Sequence, residues 1–306
     1  MTEDSFLQTL FARLPDPPGD VVVPPGDDCA ALALPGSDTL LLVAVDQVIG
    51  GRHYLNRGDN AATPRQVGRK LLARNLSDIA AMGGIPTFCL TALGVAPEQD
   101  DAWLCGLFEG VLDLAHVHNV HLIGGDLACT CHDDVSSLTV LGTVPRSQVC
   151  LRSGAQCGDV LFATGAFGAS FESGHHLIFE PRCGEGAWLA ERGFARAMID
   201  VSDGVLLDVQ RMAVASAVGV ELELASIPIR PPCAKVEQAV VGGEDYELLF
   251  AVAPDRADAL MAEWPFADTP LARIGRFGPE AGTVKDANGG ALGGPGRSGF
   301  DHFGMV

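Results

Sequence analysis

Aspartate recurs at one kind of position in this chain, just past an apolar, strand-like run or inside a turn that contains glycine. Asp46 follows the run 40–45, and Asp126 closes the stretch 123–126. The other acidic residues placed in this way are Asp27, Asp28, Asp78, Asp200, Asp203, Glu244 and Asp245. Carboxylates that are spread along a chain yet placed alike indicate convergence on a positive partner. Hard oxygen ligands favour Mg²⁺, and Mg²⁺ commonly carries a polyphosphate.

The hydrophobic pattern predicts two rounds of strands and helices. The first round comprises helix 4–14, strands 29–34 and 39–45, helix 63–82, strand 88–95, helix 100–118 and strands 120–123 and 135–144. The second comprises strand 160–164, helical segments 167–178 and 184–193, helix 205–217, strands 220–224 and 247–252, helix 254–263 and a glycine-rich loop at 281–299. Because the order does not alternate strictly, it favours an α+β fold with two α/β domains over a doubly wound sheet.

A polar, glycine-rich segment interrupts this pattern around residues 145–158. We therefore predict a domain boundary near residue 149, with an N-terminal domain over 1–149 and a C-terminal domain over 150–306. This division gives the chain of 306 residues two halves of ordinary domain size.

The composition is strongly acidic, with 39 Asp and Glu residues against 20 Lys and Arg residues and a net charge of −19. This charge argues against nonspecific binding to nucleic acid and against binding to anionic membranes, since both need basic surface. The N-terminal residues lack a signal-peptide pattern and the apolar runs are too short to span a membrane, so a cytoplasmic protein is predicted. Nine cysteines without a Cys-x-x-Cys motif favour reduced, buried thiols over a zinc site.

The usual nucleotide-binding motifs are absent from the sequence. Lysine occurs only at Lys70, Lys235 and Lys285, and none of these lies in a P-loop or a protein-kinase motif. A serine nucleophile elbow and a His-Glu-x-x-His zinc motif are also absent. If the ligand is a nucleotide, metal ions must therefore neutralise most of its charge. Glycine beside the aspartates would let carboxylates approach such ions closely, although each Gly-Asp motif alone is a weak signal.

Several longer motifs occur in order along nearly the whole chain. They are Gly-Asp-Asp-Cys-Ala-Ala at 26–31, Asn-Leu-Ser-Asp-Ile-Ala-Ala-Met-Gly-Gly at 75–84, Gly-Gly-Asp at 124–126, Arg-Ser-Gly-Ala at 152–155, Ile-Asp-Val-Ser-Asp-Gly at 199–204, Gly-Gly-Glu-Asp-Tyr-Glu-Leu-Leu-Phe at 242–250 and Gly-Phe-Asp-His-Phe at 299–303. In this combination the chain resembles the thiamine-monophosphate kinases of the aminoimidazole-ribonucleotide-synthetase-like superfamily. The motifs at 242–250 and 299–303 are the ones that resemble the kinase branch.

The resemblance implies a cytoplasmic homodimer in which the N-terminal domain contributes strands to a dimer barrel. The C-terminal domain, a mixed sheet with helices, would complete the active-site cleft. ATP and several Mg²⁺ ions are implied, with a requirement for K⁺ left open. The implied reaction is direct, in-line transfer of the γ-phosphoryl group of ATP to thiamine monophosphate. No catalytic side chain and no covalent intermediate is implied, because positioning and charge neutralisation suffice for such a transfer.

The resemblance also implies roles for particular residues. The implied magnesium ligands are Asp28, Asp46, Asp78, Asp126, Asp200 and Asp203, with Asp27 as a helper. The implied nucleotide contacts are Phe108, Gly125, Asp126, Arg146 and Ser202. The implied contacts to thiamine phosphate are His53, Glu244 and Phe300, the last by stacking on a cationic ring. His175 and His176 are interpreted as helix or loop residues without a role in the site.

The chain departs from the family pattern at Ala44 and Val45, where the kinases commonly have hydroxyl residues before the aspartate. The loss of two hydroxyls beside Asp46 predicts weaker binding of one ion rather than inactivity, because Mg²⁺ readily keeps water ligands. Two alternatives stay open at this point. One is another ATP-using enzyme of the superfamily, for ring closure or selenophosphate synthesis, although the Cys and Lys motif of the latter is missing. The other is a nucleotide-binding paralogue with impaired catalysis.

Overall fold

The computed structural model describes residues 3–292 and Gly299. The described helices are α1 (Glu3–Phe11), α2 (Pro64–Ala81), α3 (Asp101–Val117), α4 (Cys183–Glu191), α5 (Val205–Ala215), α6 (Val236–Ala239) and α7 (Ala257–Glu263). The described strands are β1 (Val21–Val23), β2 (Ala30–Ala33), β3 (Thr39–Ile49), β4 (Ile85–Val95), β5 (His121–Cys129), β6 (Val135–Pro145), β7 (Val160–Thr164), β8 (Ala197–Asp200), β9 (Gly219–Leu222), β10 (Leu248–Val252), β11 (Leu271–Gly278) and β12 (Val284–Asp286). The α+β class is as predicted.

The first six strands form one mixed sheet in the order β1-β2-β3-β6-β4-β5. All neighbours are antiparallel except β4 and β5, which are parallel and are connected by α3. A parallel pair needs such a long crossover. Side chains alternate across each strand, so Leu40 and Leu42 are buried in the core while Val45 is exposed on the opposite face.

Helix α2 contacts both sheets and carries several predicted site residues. Its start is fixed by the Thr63 hydroxyl, which accepts a hydrogen bond from the backbone N–H three residues further on. Two glycines allow other helices to approach it closely. A Cβ atom at Gly68 would lie 1.8 Å from the carbonyl oxygen of Leu107 in α3, and one at Gly186 in α4 would lie 2.1 Å from that of Ala80. Helix backbones from both halves of the chain therefore pack directly on α2.

The remaining strands form a second mixed sheet in the order β12-β9-β11-β7-β10-β8, in which only the β12–β9 pair is parallel among the described strands. Both faces of this sheet are covered. Phe162 and Phe250 face the core that is shared with α2 and the first sheet. Leu161 and Leu249 face a second core that includes residues of α5. Because one core joins the two sheets, the edge strand β8 ends next to α2.

Several predicted elements differ from the structure. The prediction of helical structure over 167–178 is wrong, because Gly168 and Gly174 have φ angles of 88° and 74° and the chain forms turns with one short 3₁₀ helix, His175–Leu177. Strands β1, β8, β11 and β12 are not among the predicted strands. Glycines and arginines dilute the apolar pattern of β11, and β12 lies inside the glycine-rich segment that we predicted to be loop.

Residues 146–159 connect the two sheets without forming a helix or a strand. The domain boundary near residue 149 falls in this connection and remains a prediction. Within residues 3–292, no helix is both long enough and apolar enough to cross a membrane.

Candidate metal and phosphate site

Three carboxylates from distant parts of the sequence come together where the two sheets approach each other. Asp28 precedes β2, Asp78 lies in the last turn of α2, and Asp200 ends β8. One oxygen atom from each carboxylate lies within 4.8 Å of the other two. The Ser77 hydroxyl donates a hydrogen bond of 2.5 Å to Oδ2 of Asp200, which orients that carboxylate. All three aspartates are among the predicted magnesium ligands.

The electrostatics of this carboxylate cluster fit a divalent cation. Burial, and after it the charge of neighbouring aspartates, raises the pKa of Asp78 and of Asp200 well above the ordinary value. Oδ2 of Asp28 is buried and has no hydrogen-bond partner among the described residues. Crowded carboxylates without a cation are costly, and carboxylate oxygens are the ligands that Mg²⁺ prefers. The residues present therefore fit a Mg²⁺ ion.

Arginine side chains neutralise three of the aspartates that we predicted as metal ligands. The pairs, with their shortest N···O distances, are Arg152–Asp28 at 2.6 Å, Arg211–Asp203 at 2.7 Å and Arg74–Asp46 at 2.9 Å. Arginine side chains therefore contribute positive charge at this site in addition to the metal ions, which we predicted to neutralise most of the charge of a nucleotide. In the Asp28 pair only Oδ1 accepts from arginine, which leaves Oδ2 for another partner.

A cavity of about 290 Å³ lies beside the carboxylate cluster. Ser202 and Asp203 line it and follow Asp200 directly in the chain, so they connect the cavity to the cluster. The other lining residues are Arg52, His53, Arg74, Phe171, Gly243, Glu244 and Tyr246. The walls thus combine two guanidinium groups with aromatic rings and two carboxylates, those of Asp203 and Glu244. Such a lining suits a ligand that carries both an anionic group and a flat, cationic ring.

A buried lysine fixes Glu244 in the wall of this cavity. Lys70 is fully buried, and its ammonium group donates to the two carboxylate oxygens of Glu244 at 2.7 and 2.8 Å. The same group donates to the carbonyl oxygen of His53 at 2.5 Å and lies 2.8 Å from Nδ1 of His176. Phe171 stacks on the His176 ring with 4.4 Å between ring centroids. Lys70 therefore connects α2 to the three segments that carry His53, His176 and Glu244.

The backbone around Glu244 adopts an uncommon conformation. Glu244 has a φ angle of 64° and Tyr246 one of 52°, in the left-handed region that non-glycine residues rarely occupy. Between them, the buried Asp245 forms an ion pair with Arg230, and the Tyr246 ring stacks on Phe179 at 4.2 Å. Such strain persists only where the surroundings hold the chain firmly, and it is frequent at binding sites.

The pairing of Glu244 predicts a loss of stability in acid. Burial would raise the pKa of Glu244, but the hydrogen bond from His176 and the charges of Lys70 and Arg74 outweigh burial and lower it to about 2. A depressed carboxylate pKa stabilises the folded state above the ordinary value of 4.5, and this stabilisation is lost as the pH falls from there towards about 2.

In urea unfolding, the wild-type chain should therefore be more stable than Glu244→Gln by about 2–3 kcal/mol near neutral pH. The difference should shrink as the pH falls below about 4.5, while the exposed control Glu280→Gln should follow the wild type throughout. A difference between wild type and Glu244→Gln that stays constant down to about pH 3 would contradict the role of the ionised carboxylate.

Several predicted site residues lie outside both the carboxylate cluster and the cavity lining. Gly125 and Asp126 are exposed on β5, an edge strand of the first sheet. Arg146 is exposed just after β6, and Phe108 is half-buried in α3 against the core. Phe300 lies outside the described residues. Their assignments as metal, nucleotide or thiamine-phosphate contacts remain predictions.

Three residues in or behind the cavity wall, Lys70, Arg74 and His176, are not among the predicted site residues. Lys70 and Arg74 carry a signal that could have identified them, because together with Asp78 they recur every four residues along one predicted helix. Residues with that spacing share a face of the helix. His176 carries no such signal, since it reaches Lys70 only through a turn whose course depends on tertiary packing.

Family comparisons agree with this two-sheet architecture. Residues 26–144 match the family described as AIR synthase related protein, N-terminal domain, and residues 167–286 match the corresponding C-terminal domain. The fold and the site thus define a two-domain protein of the AIR synthase-related class.

Comparison with individual proteins identifies a narrower family within this class. The thiamine-monophosphate kinase of Rhodopirellula baltica is 36% identical over an alignment of 299 positions that covers 92% of this chain and 92% of that protein. The crystal structure of thiamine-monophosphate kinase from Stenotrophomonas maltophilia K279a superposes with a TM-score of 0.75 at 32% identity, over 94% of this chain and 96% of that one. The structure of AaThiL complexed with AMPPCP and TMP has a TM-score of 0.77 at 24% identity, over 98% and 95% of the two chains, and supports the fold alone. The chain belongs to the thiamine-monophosphate kinase family.

Proposed function

We propose that this chain transfers the γ-phosphoryl group of ATP directly to the phosphate of thiamine monophosphate and so forms thiamine diphosphate. Family membership supports the choice of substrates, because relatives named for this activity are 36% and 32% identical over 92% and 90% of the chain. The structural observation that carries the proposal is the position of the carboxylate cluster beside a cavity with cationic and aromatic walls. An acceptor phosphate in that cavity would lie next to the metal ligands.

The proposed metal ligands are Asp28, Asp78 and Asp200. When bound, Mg²⁺ supplies Lewis-acid stabilisation of the charge that develops on the transferred phosphoryl group. The protein holds its ligands in place for this purpose. Ser77 orients Asp200, and Arg152 occupies Oδ1 of Asp28 while Oδ2 stays available. No side chain needs to act as a nucleophile, because the acceptor phosphate attacks directly.

The acceptor is held by the walls of the cavity. Glu244 is ionised and partly exposed, so it attracts a positively charged ring, and the exposed side of the Phe171 ring can stack on that ring. His53, a predicted substrate contact, lines the same cavity. Because these groups are fixed by packing and hydrogen bonds, they would orient the acceptor phosphate for in-line attack.

Phosphorus-31 NMR of the purified chain with ATP, Mg²⁺ and thiamine monophosphate tests this function. We expect signals of ADP and thiamine diphosphate to grow at equal rates. Free thiamine is the matched control and should give no phosphorylated product, since it lacks the acceptor phosphate. Turnover with other acceptors only would contradict the proposal. Tight ATP binding without turnover would favour the impaired paralogue.

We further propose that the chain forms a homodimer through the outer face of the first sheet. Val45, Ile85, Phe88 and Leu90 are between 36% and 66% exposed on that face, and contiguous exposed apolar residues typically mark an interface. Asp126 lies on the same face, because it pairs with Ala92 in the strand register, two residues beyond Leu90. Light scattering should give twice the chain mass of 31.9 kDa. A monomeric mass would contradict the dimer and the predicted barrel.

A further inference from the structure

Asp46, which we predicted as a magnesium ligand, has both carboxylate oxygens bonded to one arginine. Arg74 donates from Nε to Oδ2 at 2.9 Å and from Nη2 to Oδ1 at 3.2 Å. A two-pronged pair of this kind is strong and geometrically fixed, so it competes directly with a metal ion for the same oxygens. Within the described residues, the group close enough to share one ion comprises Asp28, Asp78 and Asp200, without Asp46.

Arg74 is held rigidly in this position. Its side chain is buried in α2, its Nη1 donates to the carbonyl oxygen of Gln47 at 2.9 Å, and its guanidinium group lies 5.9 Å from the centre of the Tyr246 ring. Burial would lower the pKa of Arg74, but the charge of Asp46 outweighs burial and raises it. The guanidinium group is therefore a permanent, immobile positive charge.

This charge also has unused donors at the cavity. An arginine side chain carries five N–H groups. Asp46 and Gln47 accept from three of them, so two remain without a partner among the described residues. Arg74 lines the cavity that we propose for the acceptor. Guanidinium groups bind phosphate oxygens in a fork geometry, whereas Mg²⁺ would need oxygen ligands that Asp46 no longer offers.

We propose that Arg74 is a fixed cation that takes the place of one divalent ion in the acceptor site. It removes Asp46 from the set of metal ligands and binds the acceptor phosphate through its remaining N–H groups. Ala44 and Val45 agree with this assignment, since neither side chain offers an oxygen to an ion at Asp46. The identity of the acceptor rests on the proposed function, but the number of metal ions does not.

Titration with Mn²⁺ followed by electron paramagnetic resonance counts the ions that the full chain binds in the presence of a non-hydrolysable ATP analogue and without acceptor. Asp46→Asn should bind as many Mn²⁺ ions as the wild type. Asp200→Asn is the matched control within the carboxylate cluster and should bind one ion fewer. If Asp46→Asn loses an ion as Asp200→Asn does, Asp46 is a metal ligand and the proposal is overturned.

A second variant tests the converse by restoring oxygen ligands at and beside Asp46. Arg74→Gln combined with Ala44→Ser frees Asp46 and places a hydroxyl group on the same face of β3, two residues before it. It should bind one Mn²⁺ ion more than the wild type, and adding Asp46→Asn to this variant should remove the extra ion. Absence of the extra ion in a variant that keeps the wild-type circular dichroism spectrum would overturn the replacement of a metal by Arg74.

Calorimetry in EDTA tests the contact with phosphate. Arg74→Gln should weaken binding of thiamine monophosphate about tenfold or more, because a hydrogen bond between charged groups is lost. Binding of thiamine should stay unchanged. The affinity of Arg74→Lys for thiamine monophosphate should lie between those of the wild type and Arg74→Gln, since lysine keeps the positive charge but lacks the two-pronged guanidinium geometry. Equal weakening of both compounds, or of neither, would overturn the phosphate contact. If the wild type turns over no thiamine monophosphate, the proposed function fails while the Mn²⁺ counts still decide the role of Asp46.

Discussion

Replacing Asp200 by asparagine should lower kcat for the phosphorylation of thiamine monophosphate about a thousandfold. Asp200 is buried at the end of β8 and shares the carboxylate cluster with Asp28 and Asp78. Asparagine has nearly the same shape and can still accept the hydrogen bond from Ser77, so the fold should persist. It lacks the charge of the proposed magnesium ligand, and a metal ion contributes several kcal/mol of charge stabilisation in such reactions. About 1.4 kcal/mol corresponds to a factor of ten in rate.

Steady-state rates at saturating ATP, with Mg²⁺ varied, measure this effect. The matched control is Asp258→Asn, which changes a carboxylate that is 95% exposed and paired with Arg273. Its rate should equal that of the wild type, because exposed ion pairs contribute little. A rate for Asp200→Asn within about tenfold of the wild type would show that Asp200 does not hold a catalytic ion.

Replacing Lys70 by methionine should lower the free energy of unfolding by about 3–5 kcal/mol, the usual cost of removing one partner of a buried ion pair. Burial lowers the pKa of Lys70 to about 8 against the opposing charge of Glu244, so both partners are charged at neutral pH. Methionine fills a similar volume but leaves the Glu244 carboxylate without its ammonium partner. The carbonyl oxygen of His53 would lose its donor as well.

Urea unfolding monitored by circular dichroism measures this loss. The control is Lys285→Met, since Lys285 also pairs with a glutamate but its partner Glu280 is 61% exposed. That variant should change stability by less than about 1 kcal/mol. Adding Glu244→Gln to Lys70→Met should recover part of the loss, because no uncompensated carboxylate remains. Equal losses of unfolding free energy in Lys70→Met and Lys285→Met would show that the buried pair contributes no more to stability than the exposed one.

The carboxylates of the cluster could be predicted from the sequence because each lies in a long local motif. Asp78 follows Asn-Leu-Ser, and Asp200 precedes Val-Ser-Asp-Gly, so their neighbours mark them. The start of α2 was predictable for a similar reason, since Thr63 and Pro64 favour the first turn of a helix. In each case the signal lies within a few residues of the position that it identifies.

The partners of these carboxylates could not be predicted in the same way. Lys70 reaches Glu244 across 174 positions in the sequence, and Arg152 reaches Asp28 across 124. Such pairs depend on the packing of segments that are distant in the sequence. The residues around a lysine or an arginine do not indicate which carboxylate it will pair with. Strand β8 was missed for a related reason, because its four residues are too few to show a period of two.

Helix α2 has a consequence for the distance between the proposed acceptor cavity and the carboxylate cluster. Lys70 underlies the acceptor cavity and Asp78 belongs to the carboxylate cluster, and both project from one uninterrupted helix. Their eight-residue separation corresponds to about 12 Å of helical rise. The distance between Lys70 and Asp78 is thus set by the backbone hydrogen bonds of one helix rather than by the conformation of loops. One inserted residue between the two positions would rotate them by about 100° relative to each other and so misalign the proposed acceptor cavity with the carboxylate cluster.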